Sequence, residues 1–372
     1  MALKQLKKVA HVTFDMRIGG AEQVILNLVK NTDHSLYDIS ILCLDRPIGP
    51  FGISLQNNGT KVVSFARRPG FDIELIRTLR RYVLSHCIDI LHCHQYSPYV
   101  YGVLAAMGTK CRVIFTEHGR FHPDQRKLKR ILINPLLSRI TDHITAISMA
   151  TKNALVRYEN FPPGKIRVIY NGIDDTRYRL LPDPNFKESL GLPASGFILG
   201  TVARLDSIKN QALMIRGLRT VLQTCPDTYL LLVGDGPERE RLEKLAADLQ
   251  LSSHILFTGF RQDTHHFYKI MDIFLLTSFS EGTAMTLLEA MASSLPCIAT
   301  GVGGNPEIVQ DRETGVIIAN DNEDALAQSI LALHENKDQL RNLGLAGRRR
   351  FEEHFTVRKM VGEYQKIYDG NG

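Results

Sequence analysis

Residues 275–306 read LLTSFSEGTAMTLLEAMASSLPCIATGVGGNP. The apolar run Ile273–Leu276 has the length and character of a buried strand. A polar turn with Glu281 and Gly282 follows, and a helical pattern starting near Thr286 continues through Leu287, Leu288, Ala290 and Met291. Pro296 ends the helix, Cys297–Ala299 begins another short apolar strand, and Gly301–Gly304 forms the next loop. Strand, loop, helix, strand, loop is the unit of an open α/β sheet, and such sheets hold ligands at their strand ends. Two carboxylates, Glu281 and Glu289, bracket the start of the helix.

The same alternation runs outward in both directions. Val9–Phe14, Tyr37–Leu44, Lys61–Phe65, Asp89–His94, Cys111–Phe115, Asp142–Ala146 and Ile166–Tyr170 read as strands of a first α/β half. Phe197–Val202, Tyr229–Val233 and Ile255–Thr258 precede the quoted stretch in a second half. Asp324–Leu333, Gln339–Arg350 and Phe355–Tyr368 read as closing helices. The polar, proline-bearing segment Arg177–Pro193 completes the boundary between the halves. At 372 residues the chain is long enough for two domains with their own cores. It has 44% hydrophobic and 23% charged residues, ordinary for a soluble globular protein, and no run suited to span a bilayer. MALKQLKKVAHVTF leads straight into a strand and lacks the pattern of a signal peptide. Six scattered cysteines read as free thiols of a reducing compartment. The net charge of +6 favours anionic partners without choosing among them.

Several strand-end loops carry candidate chemistry. Gly19-Gly20 sits between the first strand and a helix bearing Val24, Ile25, Leu28 and Val29; it fits a tight turn or a backbone approach to phosphate. His92 and His94 share one strand face, but no nearby cluster completes a metal shell. Thr116-Glu117-His118-Gly119-Arg120 places a histidine where a neutral ring could bond a sugar hydroxyl. Arg204 and Lys209 flank a strand-to-helix turn, a common surface pattern as well as an anion site. Gly234-Asp235-Gly236-Pro237 has a turn explanation of its own. The basic run Arg126, Lys127, Lys129 and Arg130 precedes an apolar helix pattern, which suits an anionic membrane surface or an ordinary solvated helix face. No aromatic platform accompanies the charge, so nucleic acid is not expected.

The quoted stretch resembles the EGxxxxxLEAMAxGxPVVAT signature of the retaining glycosyltransferases of family 4, with Glu281 and Glu289 as its paired glutamates. Ser294 stands where glycine is usual, and Ala284 where many members carry proline. IGGAE, TEHG, NGID, ARLDSIKN, GDGPE and GFR match further family elements, so the resemblance covers nearly the whole chain. It implies an α/β GT-B architecture of two Rossmann-like domains facing a cleft. These are 1–173, on the acceptor side, and 174–354, binding the nucleotide sugar, with 355–372 as a crossover helix packing on the first. It implies metal-independent, cofactor-free transfer of a hexosyl or N-acetylhexosaminyl group from a nucleoside-diphosphate sugar, UDP favoured and GDP an alternative, to a glycan or lipid-linked acceptor. The setting implied is envelope polysaccharide synthesis, in the cytoplasm or peripheral to the inner face of the membrane. By position, the catalytic set is His118, Glu281, Arg204 and Lys209. The donor-binding set is Gly19, Gly20, Arg204, Lys209, Phe260, Arg261, Glu281, Gly282, Thr283, Ala284 and Glu289. Within these sets Arg204 and Lys209 meet the diphosphate, Glu281 the transferred sugar and Glu289 the ribose. The rival readings are a nucleotide-sugar binder of low activity and a GT-B epimerase.

Overall fold

In the computed structural model, which describes residues 6–119 and 126–371, the strands fall into two all-parallel sheets. Arg120 and Asp124 lie outside the described residues. The first sheet contains β1 (Lys7–Thr13), β2 (Tyr37–Cys43), β3 (Lys61–Ser64), β4 (Ile90–His94), β5 (Arg112–Glu117), β6 (His143–Ala146) and β7 (Ile166–Val168). The second contains β8 (Phe197–Val202), β9 (Thr228–Val233), β10 (Ile255–Gly259), β11 (Ile273–Leu276), β12 (Cys297–Thr300) and β13 (Gly315–Ile318). Parallel strands covered by helices on both faces must be apolar throughout, and β11 and β12 are buried at every position.

The order of the first sheet is β3-β2-β1-β4-β5-β6-β7 and that of the second β10-β9-β8-β11-β12-β13. Each order reverses once, between β1 and β4 and between β8 and β11. The loops leaving those strands diverge to opposite faces and leave a crevice at the strand ends, where open α/β sheets take ligands.

Contacts divide the chain into a unit of residues 1–172 with 357–372 and a unit of 173–356. In the first, Val12, Leu42, Leu91, Tyr99, Phe115 and Ile144 are core residues. In the second, Leu199, Ile215, Leu230, Leu275, Ile298 and Ile330 are. Helix Val357–Asp369 buries Met360, Val361, Tyr364, Ile367 and Tyr368 on one stripe against the first unit. Its C-terminal carbonyls are met by cations: Arg112 donates to Ile367 O at 2.9 Å and Tyr368 O at 3.0 Å, and Lys7 to Tyr368 O at 3.0 Å.

The helix read from sequence as starting at Phe355 starts at Val357. Phe355 belongs to the second unit, its carbonyl accepting from the Ile173 amide at 3.1 Å. The helix Thr264–Ile270, just before β11, carries no sequence assignment above. Helices Pro50–Asn57 and Tyr96–Ala106 and strand β13 carry no sequence assignment above. The second of these helices is buried nearly all round, so no amphipathic stripe announces it. Among the described residues no helix is long and apolar enough to cross a membrane.

Candidate active site

In the second unit the loops after β8 and β11 meet at the sheet reversal. The Phe279 amide donates to Ile208 O at 2.8 Å, and the Thr277 hydroxyl to Asn210 O at 2.9 Å. These bonds tie the Arg204–Lys209 loop to the Ser278–Ala284 loop. Across them Lys209 Nζ donates to Glu281 Oε1 at 2.6 Å, and the Ser278 hydroxyl donates to the same oxygen at 2.6 Å. The pair is mostly withdrawn from solvent, with side-chain exposures of 26% for Lys209 and 9% for Glu281. Arg204 differs: its side chain is 68% exposed and only loosely paired with Asp206, at 3.8 Å.

Glu281 does not cap the helix Met285–Ala292. The N-cap is Ala284, and no side chain caps it. An uncapped helix start offers its first N–H groups and the positive end of its dipole to an anion, beside Gly282, Thr283 and Ala284. The Gly301–Gly304 loop closes over the back of this turn. At Gly303, with φ +52°, a Cβ would sit 1.8 Å from the Glu281 carbonyl oxygen, so only glycine fits.

Glu289 is half-buried on the same helix. Its Oε2 accepts from the Tyr268 hydroxyl at 2.7 Å, and Tyr178 also hydrogen-bonds the carboxylate. Burial raises its pKa, and the two tyrosine hydroxyls only partly offset that. Phe260 is exposed, whereas Arg261 forks onto Asp263 at 2.9 and 2.6 Å. That fork commits the arginine to its own loop, leaving the backbone and the Phe260 ring for a ligand.

In the first unit the β1 and β4 loops occupy the reversal. A Cβ at Gly20 would meet nothing within 4 Å, so the chain itself does not demand a glycine there. At Gly19 a Cβ would fall 2.4 Å from Glu22 Oε2, because the Glu22 carboxylate folds back over the turn. Burial raises the Glu22 pKa. The N-cap residue of helix Gly20–Asn31 makes no side-chain bond, and in its first turn the Glu22 carboxylate accepts from its own backbone amide. His118, after β5, places Nε2 2.8 Å from His94 Nδ1, and His94 Nε2 lies 2.9 Å from His11 Nδ1. Burial lowers the pKa of His11 and of His118 to about 3 and that of His94 well below the ordinary value, so the rings are neutral.

The structure thus brings Arg204, Lys209, Glu281 and Gly282–Ala284 to one reversal, and Gly19, Gly20 and His118 to the strand ends of the other unit. Sequence reading missed His11, Ser278, Tyr178 and Tyr268. His11 left one signal, a histidine inside an otherwise strand-like apolar run.

Two open parallel sheets, each with polar loops at its single reversal, define a protein of the GT-B class. Solved structures agree over 98% of this chain. A glycosyltransferase from Rickettsia africae superposes with TM-score 0.88 at 21% identity, covering 98% of that chain. Anabaena HepE in complex with UDP does so with TM-score 0.88 at 21% identity, covering 100% of that chain. The chain belongs to the GT-B-fold glycosyltransferases: residues 18–177 match Glycosyltransferase Family 4, and residues 182–350 match Glycosyl transferases group 1. EpsD of Bacillus subtilis, itself assigned to the glycosyltransferases, is 30% identical over 326 residues, covering 82% of this chain and 84% of EpsD. N-acetyl-alpha-D-glucosaminyl L-malate synthase of Bacillus anthracis is 29% identical, covering 81% of this chain and 79% of the relative. An Escherichia coli UDP-Gal:alpha-D-GlcNAc-diphosphoundecaprenol alpha-1,3-galactosyltransferase is 25% identical, covering 97% and 96%.

Proposed function

We propose that the protein is a metal-independent, retaining hexosyl- or N-acetylhexosaminyltransferase. It takes its sugar from a nucleoside-diphosphate donor and delivers it to a hydroxyl of a glycan or lipid-linked acceptor in envelope polysaccharide synthesis. The carrying observation is the tied pair of loops at the β8/β11 reversal. It joins a lysine, an arginine and an uncapped helix start, all suited to a departing diphosphate, to a carboxylate suited to sugar hydroxyls. Positive charge from Lys209, Arg204 and amide N–H groups does the work that a divalent ion does elsewhere. Glu289 takes the ribose hydroxyls, sharing its oxygens with Tyr178 and Tyr268. The exposed Phe260 and its backbone face the base; in the first unit the Gly20 turn and His118 are groups suited to a phosphate and to a sugar hydroxyl. A UDP-sugar is favoured: the Escherichia coli relative is named for UDP-Gal, and Anabaena HepE binds UDP.

The setting is the cytoplasmic face of a membrane. Helix Leu128–Arg139 leaves Leu128, Leu132, Ile133 and Leu136 exposed, next to Ile140, with Lys127, Lys129 and Arg139 among them. Bare leucines interleaved with cations match an anionic bilayer surface. The deciding experiment is mass spectrometry of products from a panel of nucleotide sugars and lipid-linked acceptors, with and without exhaustive chelation. Acceptor-dependent product of unchanged anomeric configuration in both arms is expected. Donor binding without product would leave a sugar-nucleotide binder, and activity restored only by added divalent metal would remove the metal-independent reading.

A further inference from the structure

The histidines of β1 and β4 are largely occupied with their neighbours. His92 Nδ1 meets the Tyr368 hydroxyl and Nε2 the Thr116 hydroxyl, each at 2.7 Å, and the two nitrogens of His94 meet the rings of His118 and His11. His11, His92 and His94 bring nitrogens within 4.8 Å of one another, but an ion there would have to displace those bonds. Gln95, the next residue of the chain, differs. It is where β4 turns into helix Tyr96–Ala106, at the reversal of the first sheet. Its backbone has φ 71° and ψ 165°. Cys87, Asn160 and Asn210 also have positive φ, but with ψ of 53°, 35° and 46° they lie in the left-handed helical region that side chains do visit. The Gln95 combination is essentially reserved for glycine. Two bonds hold it there. The Gln95 amide donates to Thr116 O at 2.9 Å, extending the β4–β5 ladder, and its carbonyl accepts from the Tyr99 amide at 3.1 Å, starting the helix. Both are main-chain bonds, which a glycine would make without strain.

The strain therefore asks what the glutamine side chain adds. It is not a cap, because it makes no bond to the helix start. Its amide oxygen is buried and has no partner among the described residues, and the same holds for the Thr13 hydroxyl oxygen at the end of β1. Register brings those two strand ends together, since Val12 pairs with Cys93 across β1 and β4. A buried polar atom without a partner calls for a ligand or a water, and residues held in sparsely populated backbone regions gather at functional sites. An amide oxygen only accepts, so its partner must bring an O–H or N–H, and an ionised diphosphate has none to give. A neutral hydroxyl does. We propose that Gln95 is a specificity-determining residue of the first unit, its amide oxygen accepting a hydrogen bond from a sugar hydroxyl of the acceptor. That the sugar is an acceptor rests on the transferase reading above; that the side chain serves a neutral hydroxyl does not.

Saturation-transfer NMR on the full chain reads this binding without needing turnover, with methyl glycosides of glucose, galactose and N-acetylglucosamine as probes. At least one glycoside should bind the wild-type protein, and Gln95→Gly and Gln95→Leu should each weaken it by about fivefold, the scale of one neutral hydrogen bond. Melting separates a ligand role from a structural one. Gln95→Gly relieves the backbone, so it should melt no lower than wild type while losing the glycoside. Gln95→Leu keeps the strain and a similar volume but lacks the amide. Affinity for UDP, measured by calorimetry, should be unchanged in both. Wild-type glycoside affinity in either folded variant, or a Gln95→Gly protein that melts well below wild type, would overturn the proposal. So would a wild-type protein that binds none of the glycosides. A raised KM for UDP-galactose with glycoside affinity intact would overturn it too, by giving the hydroxyl to the transferred sugar. If the glycosides bind and the variants lose them, yet no sugar is transferred from any UDP-sugar, the transferase reading fails and the Gln95 subsite stands.

Discussion

At the β1/β4 reversal the buried polar side chains borne on the strands include imidazoles, kept neutral by burial and bonded in series; at the β8/β11 reversal the loops carry a lysine, an arginine and carboxylates. Both arrangements solve one problem, which is holding polar groups against low-dielectric strand ends without stranding a charge. The first unit removes the charge. The second keeps it and compensates it, Lys209 against Glu281 with Ser278 as second donor. A neutral series can orient a hydrogen bond but cannot stabilise a departing anion. A compensated pair can, provided the ligand competes for the lysine. On the transferase reading proposed above, the difference suits the first unit to orienting a hydrogen bond and the second to stabilising charge.

The sharpest way to break that division is Glu281→Gln. If the carboxylate serves the transferred sugar, turnover should fall by about 100-fold, the scale of losing a group used mainly in the transition state. Affinity for free nucleoside diphosphate should hold or rise, because Lys209 is released from its partner. Calorimetry with the diphosphate, beside steady-state transfer, checks both. Loss of diphosphate affinity with turnover intact would reverse the roles.

The comparison extends to the surface. The first unit, with neutral imidazoles on its strands, wears cations beside bare leucines on helix Leu128–Arg139. The double variant Leu132→Ser/Leu136→Ser should weaken binding to anionic vesicles by about 30-fold, since a fully buried leucine contributes about 1.5–3 kcal/mol and interfacial insertion is partial. Lys129→Gln should weaken it by about fivefold, near 1 kcal/mol per cation. Sedimentation with neutral and anionic vesicles measures both. Equal recovery on the two lipids would show that the cations play no part.

A smaller effect tests the compensation itself. Lys209→Met should weaken the free diphosphate by about tenfold, within the range for one charge-assisted bond. In the Glu281→Gln background the same change should weaken it further, because the lysine there starts unshared. Additivity in the double-mutant cycle would mean that the pair does not regulate the lysine.

What could be read from the sequence follows the same split. Strand-end charges announce themselves inside short loops: Arg204 and Lys209 lie in one turn, and Glu281 precedes a helix of clear periodicity. Strand alternation put His92 and His94 on one face, and both are there. The series they enter was not legible, because His11 comes from a strand far off in sequence and joins only through parallel register. Tyr178 and Tyr268 were missed for a related reason. Each sits in a short helical segment without a strong pattern and reaches Glu289 only in the folded second unit. The fork of Arg261 onto Asp263 is local and stood two residues apart in the sequence, yet nothing there distinguished it from a ligand contact.

The smallest effect concerns Glu289, where compensation is incomplete. Its carboxyl has a raised pKa because burial outweighs the hydrogen bonds from Tyr268 and Tyr178. The folded protein therefore holds this proton more tightly than the unfolded chain does. Below the ordinary carboxylate range both states are protonated and the group imposes no penalty. As pH rises through that range the unfolded chain ionises first, and stability falls until the folded pKa is passed, after which the penalty is constant. Glu289→Gln removes the titration and keeps an oxygen for one tyrosine. Its melting temperature relative to wild type should be more favourable at about pH 7 than at about pH 4, by a few degrees. Ribose binding moves the other way: the amide accepts less strongly, so affinity for the free nucleoside diphosphate should drop several-fold. A variant less stable relative to wild type at neutral pH than in acid would mean that the tyrosines fully satisfy an ionised Glu289. The second unit would then hold no uncompensated carboxyl at its reversal, and the contrast with the neutral imidazoles would become one of charge sign alone.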